Sequence, residues 1–160
     1  MPIITITSDW GQRDYFLAAV KGKILSLLPS ANIIDISHGI SPFNLKQASF
    51  IVRNSYPHFP IGTVHLLSVL TEKSEKIPHL AVQYDGQYFI AADNGIFSLI
   101  FEHNPEKIIR ISSNNENGIK DKPARDRFVE AAVQLASGQP IETLGEPVNS
   151  WREQLHFLPV

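Results

Sequence analysis

The chain contains no cysteine among its 160 residues, which excludes disulfide bonds, thiolate metal sites and a cysteine nucleophile. It also lacks an excess of positive charge, because 14 lysines and arginines against 16 acidic residues give a net charge of −2. No basic block is present, so binding of nucleic acid through neutralised phosphates is not expected.

No apolar run approaches the roughly 20 residues that a membrane-spanning helix needs. The start, Met1-Pro2-Ile3, has neither a basic region nor a small-residue cleavage site. The six histidines are scattered without the paired spacing of a zinc site. We therefore expect a cytoplasmic protein without membrane insertion, and no bound metal or cofactor.

The sequence is 43% hydrophobic, which in a chain of this length is enough for one domain with a buried core. Over residues 3–54, apolar runs of strand length alternate with segments of helical periodicity, a pattern typical of parallel strands joined by helical crossovers. Asp85-Gly86 separates two further apolar runs and predicts a tight hairpin. The prediction is an α/β fold: a mixed, mostly parallel sheet with flanking helices, Rossmann-like and three-layered, with one grafted β-hairpin.

The chain divides into an α/β domain and a short tail. Asp126 is expected to cap a final helix that ends at Gly138. The tail contains prolines and one short apolar patch but no clear periodicity. We therefore predict that residues 1–140 form the domain and that residues 141–160 are a connector.

The stretch Thr7–Asp14 is the candidate ligand-binding corner. The preceding apolar run places Asp9 at the carboxyl end of the first strand, where open α/β sheets bind ligands. The two carboxylate oxygens of Asp9 could accept hydrogen bonds from both hydroxyls of a ribose, and Asp14, at the helix start, could pair with an ammonium group. The alternative is that Asp9 forms a turn and Asp14 caps the helix. His38 and His65 are expected to be hydrogen-bonded packing residues.

Common catalytic motifs are missing: there is no Walker loop, Gly-x-Gly-x-x-Gly, Gly-x-Ser-x-Gly elbow or histidine–carboxylate cluster local enough to name a triad. A series of short motifs is present instead. In chain order they are Thr7-Ser8-Asp9-Trp10-Gly11 with Asp14, Lys21-Gly22, Asp35-Ile36-Ser37-His38, Ser41-Pro42-Phe43, Phe59-Pro60-x-Gly62-Thr63-Val64-His65 and Ala92-Asp93-Asn94-Gly95.

By these motifs the chain resembles the S-adenosyl-L-methionine hydroxide adenosyltransferases, relatives of the adenosyl fluorinases and chlorinases. The resemblance covers essentially the whole chain, as the N-terminal domain of that family. It implies displacement at the ribose C5′ of S-adenosylmethionine by water or halide, with release of methionine. By position, Asp9 would hold the ribose diol, Asp14 the methionine ammonium, and Phe43 would pack beside the ribose. Possible accessory contacts come from Ser8, Trp10 and Asn94.

The resemblance also implies homotrimers with sites between subunits, completed by a C-terminal β-barrel domain. By this comparison, residues 141–160 would lead toward a barrel that is absent from this chain. Trp10 could stack on a base, although an aromatic residue at a strand end is more often a core or subunit contact.

The chain departs from the hydrolytic members at the triad of Asp, Arg and His that activates water there. The equivalent positions hold Leu70, Ile77 or Pro78, and Pro123. None of these side chains can act as a base. Substitutes could come from the loop after the third strand, although charges on an exposed loop are usually only solvated. The candidates there are Glu72, Lys73, Glu75 and His79.

Three functions therefore stay open. The first is a protein that binds S-adenosylmethionine and cleaves it to adenosine and methionine with an altered nucleophile site. The second is a non-catalytic relative that binds S-adenosylmethionine or adenosine, or acts as a trimeric scaffold. The third is a purely structural domain that retains the motifs because the fold needs them.

Overall fold

The computed structural model describes residues 2–9, 15–41, 44–69, 77–112 and 124–153. Within these ranges, seven strands form one sheet, and four α-helices pack against it. The strands are β1 (Ile3–Ser8), β2 (Asn32–Ser37), β3 (Val64–Ser68), β4 (His79–Tyr84), β5 (Gln87–Ala92), β6 (Lys107–Ile111) and β7 (Gly145–Pro147). The helices are α1 (Phe16–Leu27), α2 (Leu45–Ser55), α3 (Ile96–Ile100) and α4 (Ala124–Ala136), with short 3₁₀ helices at Tyr56–His58 and Ile141–Leu144.

The strand order is β2-β1-β3-β5-β4-β6-β7. Pairing is parallel from β2 to β5, and antiparallel from β5 through β4 and β6 to β7. The predicted mixed α/β sheet with flanking helices is confirmed. Antiparallel pairing extends beyond the predicted hairpin, because β6 and β7 continue it on the far side of β4.

The hairpin between β4 and β5 turns at the predicted dipeptide. Asp85 and Gly86 both have positive φ, 53° and 75°. This combination is typical of a type I′ turn, whose twist matches that of the flanking strands. Glycine adopts positive φ without a steric penalty, and aspartate is among the residues that tolerate it best.

Both faces of the sheet are covered, which explains why β3 is buried along its whole length and β1, β4 and β5 at all positions but one each. The apolar faces of α1 and α4 pack on one side, where Ile4, Ile6 and Leu66 face them. The helices α2 and α3 pack on the other side, against Leu67 and Phe89. None of the helices in the described ranges is both long and apolar enough to cross a bilayer.

The start of α4 differs from the prediction. Asp126 lies inside the first turn of the helix rather than at its cap. Its carboxylate is 3.1 Å from the ammonium nitrogen of Lys23 on α1, and a negative charge in the first turn is also favourable toward the helix dipole. Asp126 therefore ties the two helices on this face together.

The tail contributes to the sheet beyond residue 140. The strand β7 pairs with β6, and a Cβ at Gly145 would overlap the carbonyl oxygen of Arg110. Only glycine therefore allows this close approach of the two strands. Farther on, the indole of Trp151 stacks on Phe97 at 5.8 Å between ring centroids. The division of the chain into a domain and a connector toward a barrel stays a prediction.

Candidate functional site

Several strands end at one edge of the sheet, which we call the carboxyl edge. Ser8, the last residue of β1, pairs with Ser68, the last residue of β3. Ala92, at the end of β5, pairs with His79, because β4 runs antiparallel and begins where β5 ends. The segments that follow β1, β2, β3 and β5 therefore share one edge with the start of β4.

Asp9 lies at this edge, as the sequence predicts. It directly follows β1, and its backbone N–H donates to the carbonyl oxygen of Ser68 at 3.3 Å. This bond continues the ladder between β1 and β3, so the backbone that carries the carboxylate is held by the sheet. Its assignment to a ribose diol stays a prediction.

A hydrogen-bonded network that is buried at Ser8 and His38 and reaches the surface at Asp35 and Lys21 braces the same corner. The hydroxyl oxygen of Ser8 is 2.5 Å from Nδ1 of His38, and Nε2 of His38 is 2.9 Å from a carboxylate oxygen of Asp35. The ammonium group of Lys21 lies 2.6 Å from the other carboxylate oxygen. Since a carboxylate only accepts, we assign the imidazole proton to Nε2, so that Nδ1 accepts from the hydroxyl of Ser8. We call Ser8, His38, Asp35 and Lys21 the Ser8 network.

The electrostatics of the Ser8 network favour the charged carboxylate. Burial raises the pKa of Asp35, but the hydrogen bonds from Lys21 and His38 outweigh it, and the net pKa lies below the usual value. The residue types match a serine–histidine–aspartate triad, yet the Ser8 side chain is 0% exposed. The network therefore holds the ends of β1 and β2 together, and Ser8 does not serve as a nucleophile.

His65 is a packing residue in the middle of the sheet, as expected from the sequence. Its ring nitrogens lie 2.7 Å from the hydroxyl of Thr5 and 2.6 Å from the side-chain oxygen of Gln87. The ring stacks on Phe89 at 4.8 Å. Burial lowers the pKa of His65 to about 4, so the ring is neutral at pH 7.

His79 differs from His65 because its burial is not matched by hydrogen bonds. Its ring stacks on Phe128 of α4 at 4.6 Å, and Nδ1 is buried without a partner among the described residues. Burial, followed by the nearby positive charge of Arg127, lowers the pKa of His79 to about 4. Within the same ranges, Nε of Arg127 is also buried and unpaired. Such atoms are rare in folded proteins, since each costs about 1–3 kcal/mol.

Other predicted positions at the carboxyl edge are engaged with the backbone. The amide nitrogen of Asn94 donates to the carbonyl oxygen of Val69 at 2.9 Å, and its oxygen accepts from the N–H of Ile96 at 3.2 Å. The carbonyl oxygen of Pro78 accepts from the N–H of Asp93 at 2.8 Å. Asn94 therefore braces the end of β3 against the start of α3, and an accessory role toward a ligand stays a prediction.

Several predicted residues lie outside the described ranges, and their proposed roles stay predictions: Trp10, Asp14, Phe43, Leu70 and Pro123. Across the described ranges, no three His, Cys, Asp or Glu side chains group so that they could hold a metal ion.

The Ser8 network and the unpaired atoms of His79 and Arg127 were not predicted from the sequence. A signal for the network was present, because Asp35 and His38 flank the end of β2 while Ser8 ends a neighbouring parallel strand. The approach of Arg127 to His79 had no local signal, since the two residues are joined only by the packing of α4 on the sheet.

Two known protein structures resemble this fold closely. A conserved protein from Thermotoga maritima superposes with a TM-score of 0.86 at 29% identity, covering 99% of this chain and 62% of the other. A conserved hypothetical protein from Thermus thermophilus superposes with a TM-score of 0.80 at 27% identity, covering 96% of this chain and 62% of the other.

Curated relatives give the same relationship by sequence. The chain is 32% identical over 156 residues to the (R)-S-adenosyl-L-methionine hydrolase of Methanocaldococcus jannaschii, covering 92% of this chain and 59% of the relative. It is 23% identical over 185 residues to a fluorinase of Actinopolyspora mzabensis, covering 99% of this chain and 62% of the relative. The chain thus spans about three fifths of the length of these relatives. Residues 4–145 match the model of the SAM hydroxide adenosyltransferase N-terminal domain, and the chain belongs to that family.

Proposed function

We propose that this chain binds S-adenosylmethionine at the carboxyl edge, with the ribose diol on Asp9. The observation that carries the proposal is the position of Asp9, at the end of β1 with its backbone tied to β3, in a member of this family. A carboxylate there accepts from two vicinal hydroxyls at once. The Ser8 network supports the proposal because it holds the residue before Asp9 in place.

The reaction we propose is hydrolysis to adenosine and methionine. Relatives of this chain are an S-adenosylmethionine hydrolase and a fluorinase. The sulfonium is already a good leaving group, so the protein has mainly to align and desolvate a nucleophile for in-line attack on C5′. Asp14 would pair with the methionine ammonium, and Phe43 would pack beside the ribose. We further propose that the working form is a cytoplasmic homotrimer in which neighbouring subunits complete the site.

A second candidate function is binding without turnover. Pro78 favours binding without turnover, because its carbonyl oxygen accepts from the N–H of Asp93 and its ring offers no proton acceptor. Leu70 and Pro123 add to this argument from sequence alone. Binding and turnover are therefore tested together.

Replacing Asp9 with Asn is expected to weaken the binding of S-adenosylmethionine by about 10- to 150-fold. The reason is the loss of charged hydrogen bonds to the diol, worth about 1.5–3 kcal/mol. Calorimetric titration into the intact chain measures the affinity, and chromatography of the incubated mixture detects adenosine and methionine.

Glu146→Gln is the matched control, because it makes the same change at an exposed position on β7, at the far side of the sheet. Its affinity should equal that of the wild type. Equal binding by the Asp9→Asn variant would show that Asp9 does not belong to the site. The absence of binding heat with the wild type would refute binding altogether.

A further inference from the structure

Two buried side-chain nitrogens lie close to the carboxyl edge without a partner among the described residues. One is Nδ1 of His79, which is 5% exposed and is the first residue of β4. The other is Nε of Arg127, near the start of α4, the helix that covers this face of the sheet. A polar side chain as deeply buried as His79 is normally satisfied, so the two nitrogens point to a small polar ligand.

The face of the sheet that carries His79 is settled by its neighbours. Side chains alternate along a strand, and Ala81, two residues farther on, packs in the same core cluster as Phe128. The stacking of His79 on Phe128 agrees with this. By the same alternation Ser8 lies on the face of Ile4 and Ile6, which also pack toward α4.

The chemistry of the two groups fits one water molecule. A guanidinium is always protonated, so Nε of Arg127 can only donate. The imidazole of His79 is neutral at pH 7, because burial and the charge of Arg127 lower its pKa to about 4. With its proton on Nε2, the ring presents Nδ1 as an acceptor. A water molecule can accept from Arg127 and donate to His79 at the same time.

We propose that His79 and Arg127 hold the water that attacks C5′ of S-adenosylmethionine, with His79 as its general base. This inference rests on the proposed function. The water oxygen forms a bond to C5′ while the C5′–S bond breaks, and the bonding electron pair stays on sulfur, giving neutral methionine. The water proton passes to Nδ1 of His79 and then to solvent. One S-adenosylmethionine cation and one water molecule thus give adenosine, methionine and one proton.

The spacing of the strands is compatible with this assignment. Two strands, β3 and β5, separate β1 from β4, so three spacings of about 4.8 Å put their backbones roughly 14 Å apart. The ribose, its C5′ group and one water would lie between the side chains of Asp9 and His79. The diol anchor and the base would then act from opposite sides of the reacting carbon.

The test is His79→Phe, which keeps an aromatic ring against Phe128 but removes the base. Adenosine formation is expected to fall by at least about 100-fold, the lower limit for loss of a general base. The affinity for S-adenosylmethionine should stay within about threefold, measured by calorimetry. The thermal midpoint should be unchanged or higher, because phenylalanine keeps the ring contact with Phe128 and needs no hydrogen bond in a buried position. Arg127→Met should also lower turnover, and the exposed His103→Phe is the matched control with full activity.

Three results would overturn the inference, and a fourth would refute the proposed function on which it rests. If His79 has only a packing role, His79→Phe will have a lower thermal midpoint and a turnover within about threefold of the wild type. This result would overturn the inference. Binding of S-adenosylmethionine by the wild type without adenosine would also overturn it, while the binding proposal stands. Formation of a 5′-halogenated adenosine instead of adenosine in chloride buffer would show that the nucleophile is halide and not water. This result would also overturn the inference. No binding by the wild type would refute the proposed function itself.

Discussion

Lowering the pH from 7 to 4 is expected to unfold the protein, because two buried histidines must then take up protons. Burial lowers the pKa of His65 and of His79 to about 4, from an ordinary value of 6.5. In the unfolded chain both rings titrate near 6.5, so the unfolded state binds more protons between these two pH values. Their contribution to stability is complete above pH 6.5 and is lost as the pH falls toward 4.

The size of this effect is comparable with the whole stability of a small domain. One pKa unit corresponds to about 1.36 kcal/mol, so each histidine contributes about 3 kcal/mol over this range. Both together approach the roughly 5–15 kcal/mol by which domains of this kind are usually stable. Protonation of Asp35 adds little to this loss of stability until the pH is lower still, because the pKa of Asp35 lies below the usual value. Asp93 acts in the opposite direction, since burial raises its pKa despite the N–H of Arg152.

Urea denaturation at a series of pH values measures this loss directly. The free energy of unfolding should fall most steeply between pH 6.5 and 4. His79→Phe should retain about half of the stability that the wild type loses, because one of the two titrating rings is gone. A free energy of unfolding that stays constant over this range would show that these rings titrate normally in the folded protein.

Replacing Phe89 with Ala is expected to lower the free energy of unfolding by about 3–5 kcal/mol, the usual cost of truncating a buried phenylalanine. Phe89 is fully buried in β5. Its ring meets Tyr56 edge-to-face at 5.2 Å and Phe101 at 4.8 Å, and it stacks on His65. Truncation removes the centre of this aromatic cluster and leaves a cavity that its large neighbours fill only in part.

Phe50→Ala is the matched control, because Phe50 is 59% exposed on α2. Its truncation should change the stability by less than about 0.5 kcal/mol. Urea midpoints with unchanged slopes measure both variants. Similar losses from the two substitutions would mean that the aromatic cluster does not contribute to the core in the way the contacts indicate.

The sheet and its hairpin could be predicted because their signals are local. Asp85-Gly86 demands a turn with positive φ, and the runs on either side have the length and composition of strands. The start of α2 has a local cause as well, since Asn44 has the residue type of a helix cap and its side chain accepts from the N–H of Gln47 at 3.0 Å. The first turn of α4 was misjudged because Asp126 suits both a cap and a helix start.

The position of Asp9 was also predictable, because a residue that follows a parallel strand must lie at the carboxyl edge. The Ser8 network was not, although its members belong to motifs that the sequence shows. Ser8 and His38 meet only because β1 and β2 pair in parallel with Thr7 opposite Ser37. That register is a property of the whole sheet.

By itself, then, the sequence determined most of the helices and strands, the mixed sheet and the edge at which Asp9 lies, because periodicity and turn residues act over a few neighbouring residues. Only the tertiary structure decided which polar groups are satisfied and which are not. His65 finds partners on β1 and β5, whereas Nδ1 of His79 and Nε of Arg127, brought together by the packing of α4, find none within the described part of the chain. Two buried histidines of one sheet thus differ because hydrogen bonding inside a core depends on residues distant in sequence.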